Sequence, residues 1–329
     1  MIGFGILGAA KIAPRALIDP CAASDRASVV CIAARERSRA ERFSQKHGIS
    51  RVHSDYLEVI HDPDIQAVYN PLPISHHHRF TLEALAAGKH VLCEKSFSAN
   101  AREAEEMASA ARESGLVVMD AFHYRYHPVF LRAREVVESG QLGRLRAIEA
   151  AFHVPVTDPG DIRMNYETAG GVTMDIGCYP LSWVRHITGE EPEVVEAHAE
   201  TGPPRVDVFL EARLQLPSGV EARISGDMRP DARLRMELQV EGERGKMVVQ
   251  NPLAPQMGHR ILLEVDGQTS EEELDLRTSY AYQLDAFVAA VEEGRPLATD
   301  AEDAVKQMRL VDRCYEAAGL PLRGLDFAS

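Results

Sequence analysis

The feature that most restricts this chain is the alternation of short apolar runs with helix-patterned stretches through its first 120 residues. Candidate strands are Ile2–Leu7, Val29–Ala34, Ala67–Tyr69, His90–Cys93 and Val117–Met119. Helical periodicity fills the gaps near Ile12–Ala22, Ser38–His47, Asp55–His61, His77–Ala87 and Ala101–Ser114. Gly88 and Gly115 stand where helix C-terminal caps are needed. Strands that alternate with helices join in parallel through right-handed crossovers, so residues 1–121 are expected to form an α/β, doubly wound parallel sheet.

After Pro128 the pattern changes. A helix over Val129–Ser139 leads to a strand near Leu145–Val154, a loop, and a helix near Val172–Thr188. From Glu193 onward the period is two. Val208, Leu210, Ala212, Leu214 and Leu216 share one face opposite Glu211, Arg213 and Gln215, and Leu234, Met236, Leu238 and Val240 repeat the pattern. Turns are expected at Pro217–Gly219, Gly242–Gly245 and Asp266–Gly267, and two helices near Tyr280–Glu293 and Ala301–Ala318 close the chain. Residues 122–329 are therefore expected to form an α+β domain with a large open, mainly antiparallel sheet. The length of 329 residues suits two domains of ~100–200 residues each.

Charge and cysteine content narrow the partners. A formal net charge of −14, with arginines interleaved among acids, opposes nucleic-acid binding. No apolar run approaches the ~20 residues that span a bilayer, and the N-terminus lacks the pattern of a signal peptide. Cys21, Cys31, Cys93, Cys178 and Cys314 are odd in number and scattered, which suits reduced thiols in a cytoplasm.

Directly after the first strand, Gly8-Ala9-Ala10-Lys11-Ile12-Ala13 aligns with the G-x-G-x-x-G/A turn of dinucleotide-binding Rossmann folds and keeps its first glycine. Glycine permits the tight turn, and small residues let backbone and helix approach a pyrophosphate. Where NAD-binding chains carry an acid for the ribose hydroxyls, this sequence reads Ala34-Arg35-Glu36-Arg37-Ser38-Arg39. Arg35 and Arg39 suit a 2′-phosphate, so NADP(H) is expected, with NAD(H) as the alternative that Glu36 keeps open.

Five further segments carry a family resemblance: Gly5-Ile6-Leu7-Gly8 through Pro14, Tyr69 through His77, Ala87 through Lys95, Ala121 through Pro128, and Gly170-Gly171-Val172-Thr173-Met174-Asp175-Ile176-Gly177-Cys178-Tyr179-Pro180. In this order and spacing the chain resembles the glucose–fructose oxidoreductase/inositol dehydrogenase (Gfo/Idh/MocA) family over nearly its whole length. The resemblance implies a cofactor site in the first domain that includes Gly8, Ala9, Ala10, Lys11, Ile12, Ala34, Arg35 and Arg39. It extends to Pro71, Leu72, His77, Glu94 and Lys95 beside the nicotinamide. Lys95 matches the lysine of the family's E-K-P motif, and Asp175 and Tyr179 match its D-x-G-x-[YH] motif. These three are the expected catalytic residues. Hydride transfer at a carbinol carbon leaves a proton on or off the oxygen, and a tyrosine with an ordinary pKa of about 10 needs a nearby ammonium to serve as the carrier. Tyrosine at this position resembles the branch of dihydrodiol and xylose dehydrogenases. His123 and Arg125 are expected to join Lys95, Asp175 and Tyr179 as substrate contacts.

Serine replaces the proline of E-K-P, and because a non-proline cis bond costs ~3–4 kcal/mol the Lys95–Ser96 bond is expected to be trans. His76, His77 and His78 are consecutive and cannot chelate one ion together; His123 and His127 have zinc-like spacing but no evident third ligand, so no metal is expected. Arg163 reads equally as a substrate contact or a surface cation, and Trp183 as core. The leading function is an NADP(H)-dependent dehydrogenase or reductase of a sugar, polyol or dihydrodiol. A biosynthetic ketosugar reductase and a catalytically silent cofactor sensor are the alternatives. Self-association through the polar face of the open sheet, as a homodimer or homotetramer, is expected.

Overall fold

The computed structural model describes residues 1–202 and 205–324. Two compact units emerge: Met1–His123 with Tyr280–Val305, and Tyr124–Ser279 with the chain from Lys306.

The first unit is built on β1 (Ile2–Leu7), β2 (Ala27–Ala33), β3 (Arg51–Val52), β4 (Ala67–Asn70), β5 (His90–Cys93) and β6 (Val118–Asp120). All neighbours run parallel, in the order β3-β2-β1-β4-β5-β6. This is the expected doubly wound sheet, with the two-residue β3 added. Every residue of β1 is buried, because helices cover both faces of such a sheet. The helices of this unit include α1 (Asp19–Ala22), α2 (Arg37–His47), α3 (Tyr56–Ile60), α4 (His77–Ala86) and α5 (Ala101–Ser114). Asn100 accepts a hydrogen bond from the Glu103 amide to cap the start of α5, and Gly115 ends it at φ 67°.

The sequence expectation put both closing helices in the second domain. The helix Ser279–Glu293 instead lies almost wholly within the first unit. Phe287 meets Phe4 of β1 at a ring-centroid distance of 5.4 Å, and the Asp120 amide donates to the Thr299 carbonyl at 2.9 Å. Local periodicity marks this stretch as a helix, but only the long-range aromatic contact assigns its apolar face.

The second unit carries eight strands: β7 (Leu145–His153), β8 (Glu193–Gly202), β9 (Val206–Gln215), β10 (Glu221–Asp227), β11 (Arg235–Gly242), β12 (Gly245–Gln250), β13 (Arg260–Val265) and β14 (Gln268–Glu272). Their order is β14-β13-β12-β11-β7-β10-β9-β8, antiparallel except for the β7/β10 pair. One face buries Ile148, Ala150, Leu210, Leu214, Ile224, Leu238, Val240, Met247 and Ile261, with Trp183 fully enclosed in the same unit. The opposite face carries ion pairs such as Arg213–Glu196 and Arg235–Glu149. Leu234, expected on the apolar face, is 67 % exposed because it precedes β11 rather than lying in it.

Candidate active site

The phosphate turn of the first unit forms where β1 ends. Gly8 has φ +94°, a conformation that favours glycine, and a Cβ there would lie 3.0 Å from the Leu72 side chain. The Gly8 amide donates to the Ala33 carbonyl at 2.7 Å, tying the turn to β2. After it the chain enters a π-helical turn, Pro14–Ile18, rather than a plain α-helix. Ala9 is buried, Ala10 and Ile12 are half-buried, and Lys11 is exposed. Arg39 reaches back from α2 to donate to the Ala9 carbonyl at 2.9 Å, so its cationic head stands on the turn itself. Arg35 is exposed next to buried Ala34. Burial, then the charges of Arg79 and Arg35, lower the pKa of His76. The end of β2 is thus a cationic rim beside a glycine cradle, which fits a dinucleotide with an extra phosphate.

Two loops complete this end of the unit. Pro71 and Leu72 follow β4, and Glu94, Lys95 and Ser96 follow β5. His77, expected near the nicotinamide, is 1 % exposed and braces these loops from behind. Its Nδ1 meets the Ser96 carbonyl at 2.8 Å and its Nε2 the Leu72 carbonyl at 2.7 Å. Burial lowers its pKa to about 4 against the pull of both carbonyls, which leaves the ring neutral at pH 7. The Lys95–Ser96 bond is cis, not trans as expected from its serine. Ser96 is 2 % exposed and its carbonyl is gripped by a histidine nineteen positions earlier, a tertiary contact that the dipeptide does not encode.

Glu94 accepts a 2.6 Å hydrogen bond from the Tyr69 hydroxyl. Burial, then the charge of Glu94, raises the pKa of Tyr280, against the pull of Arg15 and Lys95. Tyr280 also packs on the ring of His123, centroids 4.0 Å apart, with His123 itself only 4 % exposed. Tyr280 was missed in the sequence because it lies far from every matched motif.

In the second unit, Asp175 sits in a π-helical turn, Thr173–Gly177, that runs into α7 (Cys178–Thr188). The helix expected from Val172 therefore opens with a widened turn, a feature frequent at functional sites. Asp175 is half-buried and Tyr179 is 5 % exposed, its ring against Phe152 and Trp183. Arg163 is no free surface cation. Its Nε and Nη2 donate to the two oxygens of Asp161 at 2.9 Å, and Nε lies 3.8 Å from Asp175. Arg125 is 6 % exposed over the Phe130 ring, and His127 caps α6 (Pro128–Glu138) by accepting from the Val129 amide.

The three consecutive histidines diverge: His76 is exposed, His77 is buried, and His78 bonds Glu106 at 2.8 Å. Among the described residues one donor set, Cys31, His53 and Asp62, clusters within 4.8 Å. Burial pushes Asp62 up, but hydrogen bonds from His53, the Asp64 amide and Arg51 outweigh it and hold the carboxyl below its usual range. Burial also pushes the Cys31 thiol up to about 12, and Arg51 pairs with both Asp62 of this cluster and Asp64. All five cysteines are buried, and none is paired with another in a disulfide.

Comparison with known proteins supplies the family. Residues 2–122 match the oxidoreductase family with an NAD-binding Rossmann fold, and residues 130–248 match the GFO/IDH/MocA C-terminal domain. The chain belongs to the GFO/IDH/MocA oxidoreductase family. Among its relatives, D-xylose 1-dehydrogenase (NADP(+)) 2 of Haloferax volcanii is 33% identical over 319 residues, covering 96% of this chain and 97% of that one. Trans-1,2-dihydrobenzene-1,2-diol dehydrogenase of Bos taurus is 34% identical over 225 residues, 68% of this chain and 66% of the other. A 3-ketoreductase from Actinomadura kijaniata, solved with NADP and TDP-benzene, superposes with a TM-score of 0.88 at 29% identity, covering 96% of this chain and 97% of that one. As a family member the chain is an NAD(P)-dependent oxidoreductase, and no described helix is long and apolar enough to cross a membrane.

Proposed function

We propose that this chain is an NADP(H)-dependent dehydrogenase or reductase that interconverts a carbinol and a carbonyl on a sugar, polyol or cyclic dihydrodiol. The observation that carries the reading is the pair Arg35 and Arg39 at the end of β2, with Arg39 bonded to the Ala9 carbonyl of the phosphate turn and a neutral Ala34 where an acid would serve NAD. The relatives support both halves: the xylose dehydrogenase is named for D-xylose and NADP(+), and the 3-ketoreductase was solved with NADP. When bound, the nicotinamide supplies or accepts the hydride. The chain's own task is the proton and the orientation of the oxygen that loses or gains it.

Tyr179 exchanges that proton, Lys95 orients the oxygen and lowers the phenol's pKa, and Asp175 holds a neighbouring hydroxyl. These roles rest on the motifs they match. His123, Arg125 and Arg163 are the further substrate contacts, with Arg163 oriented by Asp161. Gly8 through Ile12 cradle the pyrophosphate, while Pro71, Leu72, Glu94 and Lys95 flank the nicotinamide and His77 braces their loops. A reductase acting on a nucleotide-linked ketosugar is the second reading, favoured by 31% identity to a dTDP-3,4-didehydro-2,6-dideoxy-α-D-glucose 3-reductase of Actinomadura kijaniata over 94% of each chain. A silent cofactor sensor is disfavoured by the retention of Lys95 and Tyr179. The polar sheet face forms a homodimer or homotetramer, and buried cysteines without a disulfide among them suit a reducing cytoplasm.

The deciding experiment titrates NADPH and NADH by fluorescence and then follows reduced-cofactor absorbance over a panel of D-xylose, D-glucose, myo-inositol, a trans-dihydrodiol and a dTDP-ketosugar. NADPH should bind more tightly and at least one sugar-like compound should turn over. Tighter NADH binding would sink the cofactor assignment, and silence across the panel would favour the sensor.

A further inference from the structure

In the second unit, distant parts of the chain meet at one buried charge. Asp207, fully buried on β9, accepts from the backbone amide of Thr173 at 2.8 Å and from its hydroxyl at 2.6 Å. The Tyr315 hydroxyl donates to the same carboxylate at 3.2 Å, and Arg323 Nη2 donates to its Oδ1. Arg323 is 1 % exposed and lies six residues from the end of the chain. Its Nε donates to the Gly170 carbonyl and its Nη1 to the Pro321 carbonyl, both at 3.1 Å. The rings of Tyr166 and Tyr315 lie 4.6 and 4.5 Å from the guanidinium carbon.

A buried ion pair adds little net stability, since desolvation offsets most of its attraction; apolar side chains would stabilise the spot as well. Its distinctive effect is geometric. A planar guanidinium with several fixed donors locks the groups it touches. Here it ties the end of the loop carrying Asp161 and Arg163, through Gly170, to the first residue of the π-helical turn, through Asp207 and Thr173. That turn carries Asp175 and continues into the helix of Tyr179. The approach is so close that a Cβ on Gly171 would lie 2.0 Å from the Asp207 carboxylate, and one on Gly170 2.5 Å from the Arg163 carbonyl. Gly171 is what this clamp requires of the sequence, while Gly170 is required by the backbone of the Arg163 loop folded against it.

We propose that Asp207 and Arg323 are positioning residues for the reaction, holding the Gly170–Thr173 turn so that Asp175, Tyr179 and the Arg163 loop keep one fixed register. The inference rests on the reading of Tyr179 as proton carrier. Displacing a reacting group by about 1 Å can cost on the order of 10²-fold in rate, so a clamp two to six residues from the chemistry has leverage.

The test compares Arg323→Lys, which keeps a charge opposite Asp207, with the double variant Asp207→Asn/Arg323→Met, which leaves no buried charge orphaned. Tyr179→Phe runs alongside, on whichever compound of the panel turns over fastest. Both clamp variants should fold, bind NADPH within about two-fold of wild type, lose roughly 10–100-fold in kcat, and show a displaced pH midpoint of kcat because the phenol has moved. Wild-type kcat in either folded variant would overturn the proposal. So would a lowered kcat with an unmoved pH midpoint, which marks mere loss of active protein, or loss of the fold in Arg323→Lys, which marks a stability element. Wild-type turnover in Tyr179→Phe would instead sink the proton-carrier reading; impaired Tyr179→Phe beside unimpaired clamp variants sinks the positioning role alone.

Discussion

At the scale of single residues, His77 bonds two loop carbonyls of the first unit, and Tyr179 is the proton carrier we propose. His77 is buried and neutral, with a pKa lowered from 6.5 to about 4. The unfolded chain binds that proton more readily, so the contribution is complete above pH 6.5 and is lost as pH falls from 6.5 towards 4. Over that window the shift corresponds to roughly 3 kcal/mol. Urea denaturation at pH 7 and pH 4.5 should show a smaller drop in His77→Gln, which has no proton to gain, than in wild type; equal drops would assign the acid sensitivity elsewhere. For the chemistry, removing a positioned proton carrier costs ~10²–10⁴-fold in rate. Tyr179→Phe and Lys95→Met should each lower turnover by that order with NADPH affinity nearly intact. The double variant should lose far less than the product of the two, because Lys95 acts largely through Tyr179. Full additivity would separate their roles.

At the scale of elements, two glycine turns set where the functional side chains stand. Gly8, at φ +94°, bends the chain out of β1 at the proposed pyrophosphate turn, and Gly171, at φ +140°, lets the π-helical turn come down on Asp207. A non-glycine residue in such a conformation costs ~1–3 kcal/mol before any clash is counted. Gly171→Ala should therefore lower unfolding stability by about 2 kcal/mol or more in urea titration, and a loss below ~0.5 kcal/mol would show that Asp207 can move aside. The end of β2 is the second such element. Arg35→Ala should weaken NADPH far more than NADH, since its phosphate-directed charge has no counterpart in NADH; equal weakening would indicate that Arg35 serves the adenine instead.

At the scale of the whole molecule, the wide sheet of the second unit leaves one face covered with ion pairs such as Arg235–Glu149 and Arg213–Glu196. Exposed pairs of this kind contribute little to the stability of a monomer. Their alternation with half-buried strand residues suits a self-complementary surface, where a two-fold axis brings each acid near its partner's base. Light scattering at micromolar concentration should give twice or four times 36.3 kDa. A monomer mass would leave the face as a solvated one.

The sequence by itself determined what is local. Alternating apolar runs and helical periods placed β1, β5 and α5 at their observed bounds, because each period reports which side of an element leaves water. The Gly8 turn was legible because glycine acts within a few residues, whereas the helix expected from Val172 opens on a π-helical turn at Thr173–Gly177. What lay beyond the sequence depends on contacts between distant positions. The helix at Ser279–Glu293 joined the first unit once Phe287 met Phe4, and the cis Lys95–Ser96 bond lies beside His77, the first residue of α4. Asp207 sat in the polar phase of its strand, and Arg323 lay among the last residues; neither carried a motif. Their meeting explains why residue 171 is a glycine, and only the folded chain brings those charges close enough to need each other.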